Sequence, residues 1–424
     1  MAALTLKTRD SGERRRRVVV TGIGVISPAG NDPVTFWRNV VEGRSGAGPI
    51  TRFDTSQLPV KIGAEVRDFR LKDFVDGRSN RLDFSIQYGI AAASMALRDA
   101  GIEVERTADR VGIVEGTTIS GSESVLKMQA SLDTSNQDYR KIHPYNVVAS
   151  YCGEGSSAIS MQLGLKGAAI TYCSGCASSN DAIGHGKELI ERDEFDIMIA
   201  GGSEYMMKLL HIGFCRLHAM SELEGDPRTA MRPFDRNRDG FILGEGATFL
   251  VLEELTHALS RGAKIYAEVS GHGRTSEAYH PTDPHPEGLG YQQAMDRALR
   301  DARIHPEEVD YINAHGSATP KNDPIESFAI KKIFGAHARR LSISATKPVT
   351  GHLMGASGAI ESLVAILTLH HQVIPPTINL KNPDVGCDLD YVPVARPYPV
   401  RVAMNLNAGF GGRYACLLMK RFDG

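Results

Sequence analysis

The sequence predicts an α/β protein made of two similar halves. Short apolar runs alternate with stretches of helical periodicity along all 424 residues, and such alternation is typical of α/β folds. The order of strand, glycine turn and helix in the first half then recurs in the second, as an internal duplication would produce. We therefore predict two halves, residues 15–262 and 263–424.

The first half begins with an apolar strand over residues 17–21, which we expect to run into a glycine- and proline-containing loop over residues 22–30. Apolar residues at helical spacing predict a helix over residues 83–100, and Gly101 is a suitable stop for it. The remaining predicted elements of this half are strands 110–114, 168–172, 196–200 and 246–254, and a helix over residues 178–194.

The second half repeats this pattern. A strand at residues 263–269 resembles the opening strand, and the helix at residues 288–302 corresponds to the helix at 83–100. The strand at 310–313 is placed like the strand at 110–114. The strand at 341–344 and the helix from about 355 to 370 then parallel the strand, loop and helix of residues 168–194.

Composition excludes several classes of protein. The net charge of −2 creates no bulk field that would attract nucleic acid or a membrane, and the four arginines at residues 14–17 read as a solvated tail. No apolar stretch approaches the ~20 residues of a membrane span, and the N-terminus has no apolar signal region. Six cysteines in 424 residues form no disulfide framework, so we expect a cytoplasmic protein.

Three side chains in glycine-marked turns carry the chemistry. Cys176, His315 and His352 each follow a strand-like run. A soft nucleophile with two imidazoles suits thioester chemistry, in which sulfur carries an acyl group and N–H groups hold an enolate. Cys176 lies where a predicted strand ends and a helix begins, a position that favours the thiolate.

Simpler interpretations remain open for each of these residues. Cys176 could be a core cysteine, or it could form a redox pair or half of a zinc site with Cys173, although the sequence has no second pair of zinc ligands. Each histidine could be structural, and Lys347, five residues before His352, could be a surface cation. The glycines of residues 22–30 do not form a dinucleotide loop, because their spacing is wrong and a proline interrupts them.

Several motifs in order make the chain resemble the β-ketoacyl synthases of the condensing-enzyme group, over residues 17–420. They are residues 19–25 (VVTGIGV), 174–178 (SGCAS), 232–241 (RPFDRNRDGF), 244–246 (GEG), 315–319 (HGSAT), 347–352 (KPVTGH) and 409–412 (GFGG). The resemblance implies a thiolase-like fold, with duplicated α/β halves in a layered αβαβα arrangement. It is strongest to the free-standing type II enzymes of fatty-acid elongation and of bacterial polyketide synthesis.

The resemblance also implies a reaction. Cys176 would take an acyl group from an acyl carrier protein, with the backbone N–H groups of Cys176 and Phe410 as the oxyanion hole. His315 and His352 would promote decarboxylation of malonyl carrier protein and stabilise the enolate, which condenses with the acyl group on Cys176. Lys347, with Glu326, would orient the histidines.

The remaining site residues follow from the same resemblance. They are the pantetheine-binding residues Ser317 and Thr319, the gate Phe410 with its flanking Gly409 and Gly411, and the acyl-pocket residues Ile119 and Phe214, with Ile119 where two subunits meet. Phe410 could instead be a bystander, and the two pocket residues could be ordinary core residues.

No metal or organic cofactor is implied, because the acyl carrier protein supplies the phosphopantetheine arm. This carrier is acidic in the family, so we expect a basic patch near the pocket mouth. The chain would pair either with itself or with a ketosynthase-like chain-length factor. Its departures from the usual pattern are Ser179, Ser317 with Ala318, and Arg413 with Tyr414, and they favour the catalytic subunit of a type II polyketide or polyene pathway.

Three alternatives stand beside this prediction. The first is a fatty-acid elongating synthase that acts as a homodimer. The second is a coenzyme A thiolase, which would need a second reactive cysteine, for which Cys416 is the candidate. The third is a non-catalytic chain-length factor, which the presence of Cys176, His315 and His352 disfavours.

Overall fold

The computed structural model describes residues 15–76, 82–106 and 108–424 and is an α/β structure. Its strands are β1 (Val18–Ile26), β2 (Ala47–Pro49), β3 (Ile62–Ala64), β4 (Val111–Gly116), β5 (Ala169–Tyr172), β6 (Ile197–Glu204), β7 (Gly246–Glu254), β8 (Ala267–Ser276), β9 (Tyr311–Asn313), β10 (Ser342–Ser344), β11 (Val373–Ile374), β12 (Arg396–Pro397), β13 (Val402–Gly409) and β14 (Arg413–Lys420). Its helices are α1 (Pro33–Val41), α2 (Phe84–Ala100), α3 (Ser122–Thr134), α4 (Asn146–Ala149), α5 (Glu154–Leu163), α6 (Ser178–Glu191), α7 (Lys208–Arg216), α8 (Leu255–Ser260), α9 (Leu289–Ala302), α10 (Asn322–Phe334), α11 (Lys347–Thr350) and α12 (Ser357–His371).

Ten of the strands form one sheet in which the two halves mirror each other. From the centre outward the first half contributes β1, β7, β6, β4 and β5, and the second contributes β8, β14, β13, β9 and β10. Counted from the centre outward, each set contains its first, fifth, fourth, second and third strand in chain order, so the two halves share one topology. The halves join where β1 pairs antiparallel with β8. We propose residues 15–262 and 263–424 as the units of this repeat.

The helices complete five layers. Helices α2 and α5 cover the outer face of the first set of strands, and α9, with α10 packed against it, covers that of the second. Helices α6 and α12 contact each other and lie between the two sets. Every residue of α12 from Ser357 to Leu369 is buried, which explains why its sequence is apolar all round rather than striped. This is the predicted αβαβα arrangement.

The opening strand differs from its prediction. It continues through Gly22 and Gly24 to Ile26, and the chain turns only at residues 27–30. A Cβ on Gly22 would lie 2.2 Å from the carbonyl oxygen of Ala96, and one on Gly24 would lie 2.0 Å from that of Ala92. These glycines therefore let α2 pack closely on β1, and they do not form a loop.

Other element boundaries shift for local reasons. Helix α2 ends at Ala100 with Gly101 in the left-handed conformation, as predicted. Helix α6 ends at Glu191 rather than at 194, because Asp193 has a φ of +60°. The strand predicted at 263–269 begins later and runs on to Ser276 as β8, where β14 pairs with it. A short helix, α11, separates β10 from His352.

The N-terminal arginines that the structure describes are not a free tail. Arg14 lies outside the described residues, but Arg15 pairs with Asp301, Arg16 with Asp196 and Arg17 with Glu268. These acids lie on the surface beside the start of β1, so they tie the chain down. Among the described helices, none is long and apolar enough to cross a membrane.

Candidate active site

One cavity of about 300 Å³ brings together most of the predicted site residues. Its lining includes Cys176, Phe214, His315, Ser317, Thr319, His352, Gly409 and Phe410. These residues come from both halves and from loops that are far apart in the sequence. The fold therefore assembles at one place the nucleophile, the two imidazoles and the glycine-rich turn that the sequence singled out.

Cys176 lies in a 3₁₀ turn, Gly175–Ala177, that leads directly into α6. Ser178 ties this turn together: its hydroxyl accepts from the N–H of Ser174 at 2.9 Å and donates to the carbonyl of Gly175 at 2.6 Å. Burial raises the pKa of the Cys176 thiol to about 12, and the opposing charge of Lys347 only limits this rise. Burial therefore opposes the thiolate that the start of α6 and the charge of Lys347 favour.

His315 follows β9 and is held through its backbone. Glu326 accepts the N–H groups of His315 at 2.7 Å and of Gly316 at 2.9 Å. The Lys347 ammonium lies 3.4 Å from Nδ1 of His315. Because an ammonium only donates, Nδ1 is the acceptor and the proton of the neutral ring is on Nε2. His315 can therefore offer an Nε2–H donor to the cavity.

His352 lies just after α11, and its ring is fixed on two sides. Nδ1 is 2.8 Å from the hydroxyl of Ser357, and the ring meets Phe241 edge-on with centroids 5.0 Å apart. The rings of His315 and His352 are 5.5 Å apart and nearly perpendicular. Burial, with the charge of Lys347, holds the pKa of both imidazoles well below the usual range. Both are therefore neutral at neutral pH.

Lys347 is fully buried, so it is not a surface cation. Its ammonium donates to Glu361 at 2.5 Å and to the carbonyl of His315 at 2.6 Å. Glu326, which we expected to orient the histidines with Lys347, holds the backbone of the His315 turn, and burial raises its pKa to about 8. Glu361 was missed by the sequence analysis, although a lone carboxylate in the apolar stretch of α12 was a signal for it.

Glu361 leads into a buried amide network between the halves. Its second oxygen accepts from Asn407 at 2.7 Å, and Asn180 donates to Asn407 at 2.7 Å. Asn405 donates to Asn180 at 3.0 Å. This network links α12, α6 and β13, so it positions Lys347 relative to the helix that follows Cys176.

Phe410 lies at the tip of the hairpin between β13 and β14. The ring is 40% exposed and sits 5.8 Å from that of Phe214. A Cβ on Gly409 would lie 2.9 Å from the backbone nitrogen of Cys176, so the hairpin can approach the nucleophile only with glycine there. Gly411 has a φ of +84°, a conformation that favours glycine.

The other pocket residues divide into two groups. Ser317 and Thr319 line the cavity and their hydroxyls are 2.9 Å apart, while Ala318 between them has a φ of +60°. Phe214 is buried in the same cavity. Ile119 does not line it: this half-buried residue lies beside Asp83 and Tyr205, because the chain turns away towards α3 after β4.

The geometry disfavours the zinc and thiolase alternatives. Within residues 15–76, 82–106 and 108–424, no group of three or more metal-binding side chains occurs. Cys173 is exposed and Cys176 is buried, and both are free thiols. Cys416 is buried in β14, where it pairs with Leu406, and it is not a member of the cavity lining.

Comparison with known proteins identifies the family. The family described as Beta-ketoacyl synthase, N-terminal domain, matches residues 15–258, and Beta-ketoacyl synthase, C-terminal domain, matches residues 266–381. This chain belongs to the β-ketoacyl synthase family. As a member, it is an acyltransferase of the condensing type, and it uses the phosphopantetheine arm of an acyl carrier protein rather than a separate cofactor.

Relatives match over nearly the whole chain. The 3-oxoacyl-(acyl-carrier-protein) synthase 2 of Coxiella burnetii is 45% identical over 96% of this chain and 100% of its own length. The synthase 2 of Synechocystis sp. is 41% identical over 96% of this chain and 99% of its own length.

Solved structures agree with this assignment. The ishigamide ketosynthase/chain length factor superposes with a TM-score of 0.90 at 36% identity, and the match covers 96% of this chain and 100% of that one. The AntDE:AntF structure, a type II PKS acyl-carrier protein in complex with its ketosynthase bound to the hexaketide, gives a TM-score of 0.89 at 34% identity, with 96% and 100% covered. These likenesses place the chain in the thiolase-like fold.

Proposed function

We propose that the protein elongates acyl chains in fatty-acid synthesis, as a 3-oxoacyl carrier-protein synthase. The observation that carries this proposal is the shared cavity of Cys176, His315 and His352, together with the relatives named synthase 2 over the full chain. The identity of 40–45% to these relatives exceeds the 34–36% to the polyketide-related structures. We therefore propose a role in fatty-acid synthesis in place of the polyketide role that the sequence favoured.

The first step is transfer of the acyl group to Cys176. Its sulfur attacks the thioester carbonyl of an acyl carrier protein, a new C–S bond forms, and the bond to the carrier sulfur breaks. The thiol proton leaves with the carrier thiol. Because burial raises the pKa of the Cys176 thiol, the start of α6 and the charge of Lys347 would have to stabilise the sulfur as it attacks. The backbone N–H groups of Cys176 and Phe410 would stabilise the oxyanion.

The second step is condensation with malonyl carrier protein. Loss of carbon dioxide leaves an enolate, and Nε2–H of His315 and the ring of His352 would hold its oxygen. The enolate carbon then attacks the Cys176 thioester, and the sulfur leaves and is reprotonated. Lys347 would keep both imidazoles neutral and correctly oriented through its charge and its bonds to His315 and Glu361.

The carrier arm would enter past Ser317 and Thr319, whose hydroxyls line the cavity. Phe410 would gate the second substrate, because its partly exposed ring stands on a hairpin tip whose glycines permit movement. Phe214 would line the acyl chain. We place Ile119 at the subunit interface, where a second subunit would have to complete its part of the pocket.

We also propose a cytoplasmic homodimer. β5 is the outermost strand of the first half, and exposed apolar side chains cluster in the segments before it. These are Val125, Leu126, Tyr145, Val147, Val148 and Tyr151. Such a patch is typical of a subunit interface. Size determination of the purified chain, alone and with a ketosynthase-like partner, distinguishes a homodimer from a heterodimer.

A second candidate is the catalytic subunit of a type II polyketide synthase. The observations that favour it are the left-handed Ala318 in the pantetheine-binding turn and Arg413 after the gate, whose guanidinium donates to the carbonyl of Cys173 at 2.8 Å. The solved complexes of related ketosynthases with a chain length factor and with a polyketide carrier protein also favour it.

Substrate choice tests the two candidates. The purified chain is given malonyl carrier protein with either a saturated acyl carrier protein or an unreduced β-ketoacyl carrier protein, and the products are weighed by mass spectrometry. The fatty-acid proposal predicts one round of elongation of the saturated chain, lost in Cys176→Ala. Use of the β-ketoacyl chain alone, or only with an added partner subunit, would instead establish the polyketide role. No product from either substrate would exclude both.

A further inference from the structure

A buried histidine outside the cavity is connected to the turn that carries Cys176. The hydroxyl of Ser174, two residues before the nucleophile, donates to Oδ2 of Asp181 at 2.5 Å. Asp181 lies on α6, one turn beyond Ser178, whose hydroxyl already ties the same turn together. The position of the nucleophile turn therefore depends on where the Asp181 carboxylate is held.

His272 of β8 faces the other oxygen of that carboxylate. Nε2 of His272 is 3.3 Å from Oδ1 of Asp181, and Nδ1 is 3.5 Å from Oε1 of Glu188. The imidazole is only 2% exposed. Neither Oδ1 of Asp181 nor Nε2 of His272 has a hydrogen bond of good geometry among the described residues. The interaction that stabilises these two buried atoms is therefore the charge contact between them.

The helix surface is shaped to receive this ring. Asp181, Gly184 and Glu188 are spaced three and four residues apart, which puts them on one face of α6. A Cβ on Gly184 would lie 2.2 Å from Cγ of His272. Because position 184 has no side chain, the imidazole can lie flat against the helix between the two carboxylates.

Other charged groups surround the imidazole. Glu188 also pairs with His185 at 3.5 Å and with Arg274 at 4.0 Å. From α9, Asp301 accepts the backbone N–H of His272 at 3.0 Å and pairs with Lys187 at 2.9 Å. On the neighbouring strand β14 the residue paired with His272 is the uncharged Leu417. The two carboxylates that face the ring directly are thus those of Asp181 and Glu188.

We propose that His272 is a positioning residue: as an imidazolium between Asp181 and Glu188, it holds the Asp181 carboxylate where Ser174 needs it, and so fixes the turn that presents Cys176. The inference deepens the proposed function, on which it rests for the identity of the nucleophile. His272 belongs to the second half and Asp181 to the first, so this contact also fixes one half relative to the other at the nucleophile.

The contact gives the turn a dependence on pH. Burial lowers the pKa of His272, but the two carboxylates outweigh burial and leave it above the usual value. The folded protein therefore favours the imidazolium, which is lost as pH rises through this raised pKa. Deprotonation leaves Asp181 buried without its counter-charge, so the anchor of Ser174 weakens on the alkaline side.

The test compares rates of Cys176 acylation by an acyl carrier protein substrate between pH 6 and 10. The proteins are the wild type, His272→Gln, Ser174→Ala, their double variant and His370→Gln, a control with an exposed histidine. We expect a fall in kcat/KM on the alkaline side for the wild type and His370→Gln. His272→Gln and Ser174→Ala should each lose about tenfold to a hundredfold at pH 7 and lack this fall.

The double variant decides whether the two residues act together. If His272 works through Ser174, the double variant loses no more than either single variant. Losses that multiply, or an alkaline fall that persists in His272→Gln, would overturn the proposal. Circular dichroism shows whether His272→Gln folds. If it does not, Ser174→Ala alone must abolish the fall in kcat/KM at alkaline pH. A fall that persists in Ser174→Ala would then overturn the proposal.

A second readout separates this proposal from the proposed function. Alkylation of Cys176 by iodoacetamide, followed on its peptide by mass spectrometry, reports the thiol without any carrier protein. If no carrier substrate acylates the wild type, the proposed function fails, but His272→Gln should still change the alkylation rate of Cys176 and not that of Cys173. An unchanged Cys176 rate would then overturn the positioning role.

Discussion

The central helices of the two halves, α6 and α12, both begin directly after a 3₁₀ turn, but the two turns have different roles in the site. In the first half β5 is followed almost at once by the 3₁₀ turn Gly175–Ala177 and then by α6. In the second half β10 leads to another 3₁₀ turn, Met354–Ala356, and then to α12, but α11 and His352 are inserted before the turn. A serine, Ser178 or Ser357, is the first residue of each central helix.

This difference shows how a duplicated frame yields an asymmetric site. The short connection presents Cys176 at the middle of its turn, whereas the corresponding residue of the second half is Gly355. A Cβ at Gly355 would lie 2.7 Å from the backbone of Thr117, so that turn is closed against the first half. The longer connection instead buries Lys347 and places His352 in the cavity. In the proposed mechanism, one half thus supplies the nucleophile and the other supplies the two imidazoles and the charge of Lys347.

The largest expected effect comes from removing the first half's contribution to the site, the thiol of Cys176. Cys176→Ala should abolish formation of the acyl-enzyme, with a loss of at least about 10³-fold, because no other cavity residue can form the thioester. Mass spectrometry of the intact protein after incubation with acyl carrier protein measures it. Cys173→Ser is the matched control, since this exposed thiol is outside the cavity, and an acyl adduct in Cys176→Ala would contradict the assignment.

The second prediction concerns removal of the other half's contribution, the two imidazoles. His315→Ala or His352→Ala should slow decarboxylation of malonyl carrier protein by about 10²–10³-fold, because each removes a preorganised donor to the enolate. Release of labelled carbon dioxide measures this step separately from acylation. His337→Ala, away from the cavity, should keep the wild-type rate. Equal decarboxylation in all three variants would show that neither cavity histidine acts in it.

The third prediction concerns the buried ion pair of the second half, Lys347 with Glu361. Lys347→Met should destabilise the protein by about 3–5 kcal/mol, because it leaves Glu361 buried without its counter-charge. Urea unfolding measures it. The double variant Lys347→Met, Glu361→Gln should recover part of this loss, and Lys331→Met, at a more exposed pair with Asp388, should cost about 1 kcal/mol or less. Similar costs for both single variants would contradict the buried role.

The fourth prediction follows from the lowered pKa values of His315 and His352. The folded protein keeps both neutral, while the unfolded chain protonates them below about pH 6.5. The contribution of these two histidines to stability should therefore fall as pH drops below that value, by up to about 1.4 kcal/mol per pH unit for each. Urea unfolding at pH 7.0 and 5.5 measures the fall. His352→Gln should fall less steeply, and an equal slope would show that His352 is not held neutral.

The smallest expected effect sharpens the comparison of the two turns. Gly355→Ala should cost about 1–3 kcal/mol, because its Cβ would clash with Thr117. Gly213→Ala in α7, where a Cβ meets nothing within 4 Å, should instead stabilise by about 0.5–1 kcal/mol. Thermal unfolding compares the two. If Gly355→Ala is as stable as the wild type, the closed turn does not explain the glycine.

The sequence predicted most of the helices and strands whose hydrophobic periodicity and end signals lie within one continuous stretch of chain. The helix at 84–100, its glycine cap and the apolar strands β4, β6 and β7 were found because periodicity and stop signals are local properties. The loop predicted at residues 22–30 was wrong because glycine favours a turn and a close helix contact equally well. Only the position of α2 above Gly22 and Gly24 separates these two meanings.

The sequence by itself determined the fold class, the family and the presence of Cys176, His315 and His352 in reactive turns, because motifs and periodicity are read along the chain. Tertiary structure alone decided that Lys347 pairs with Glu361, that Ile119 lies outside the cavity, and that His272 lies against Asp181 beside the Cys176 turn. It also decided that Cys176 is buried, which raises the pKa of its thiol. Partners and pKa values depend on burial and on residues that are distant in the sequence, such as His272 and Asp181, which no local pattern specifies.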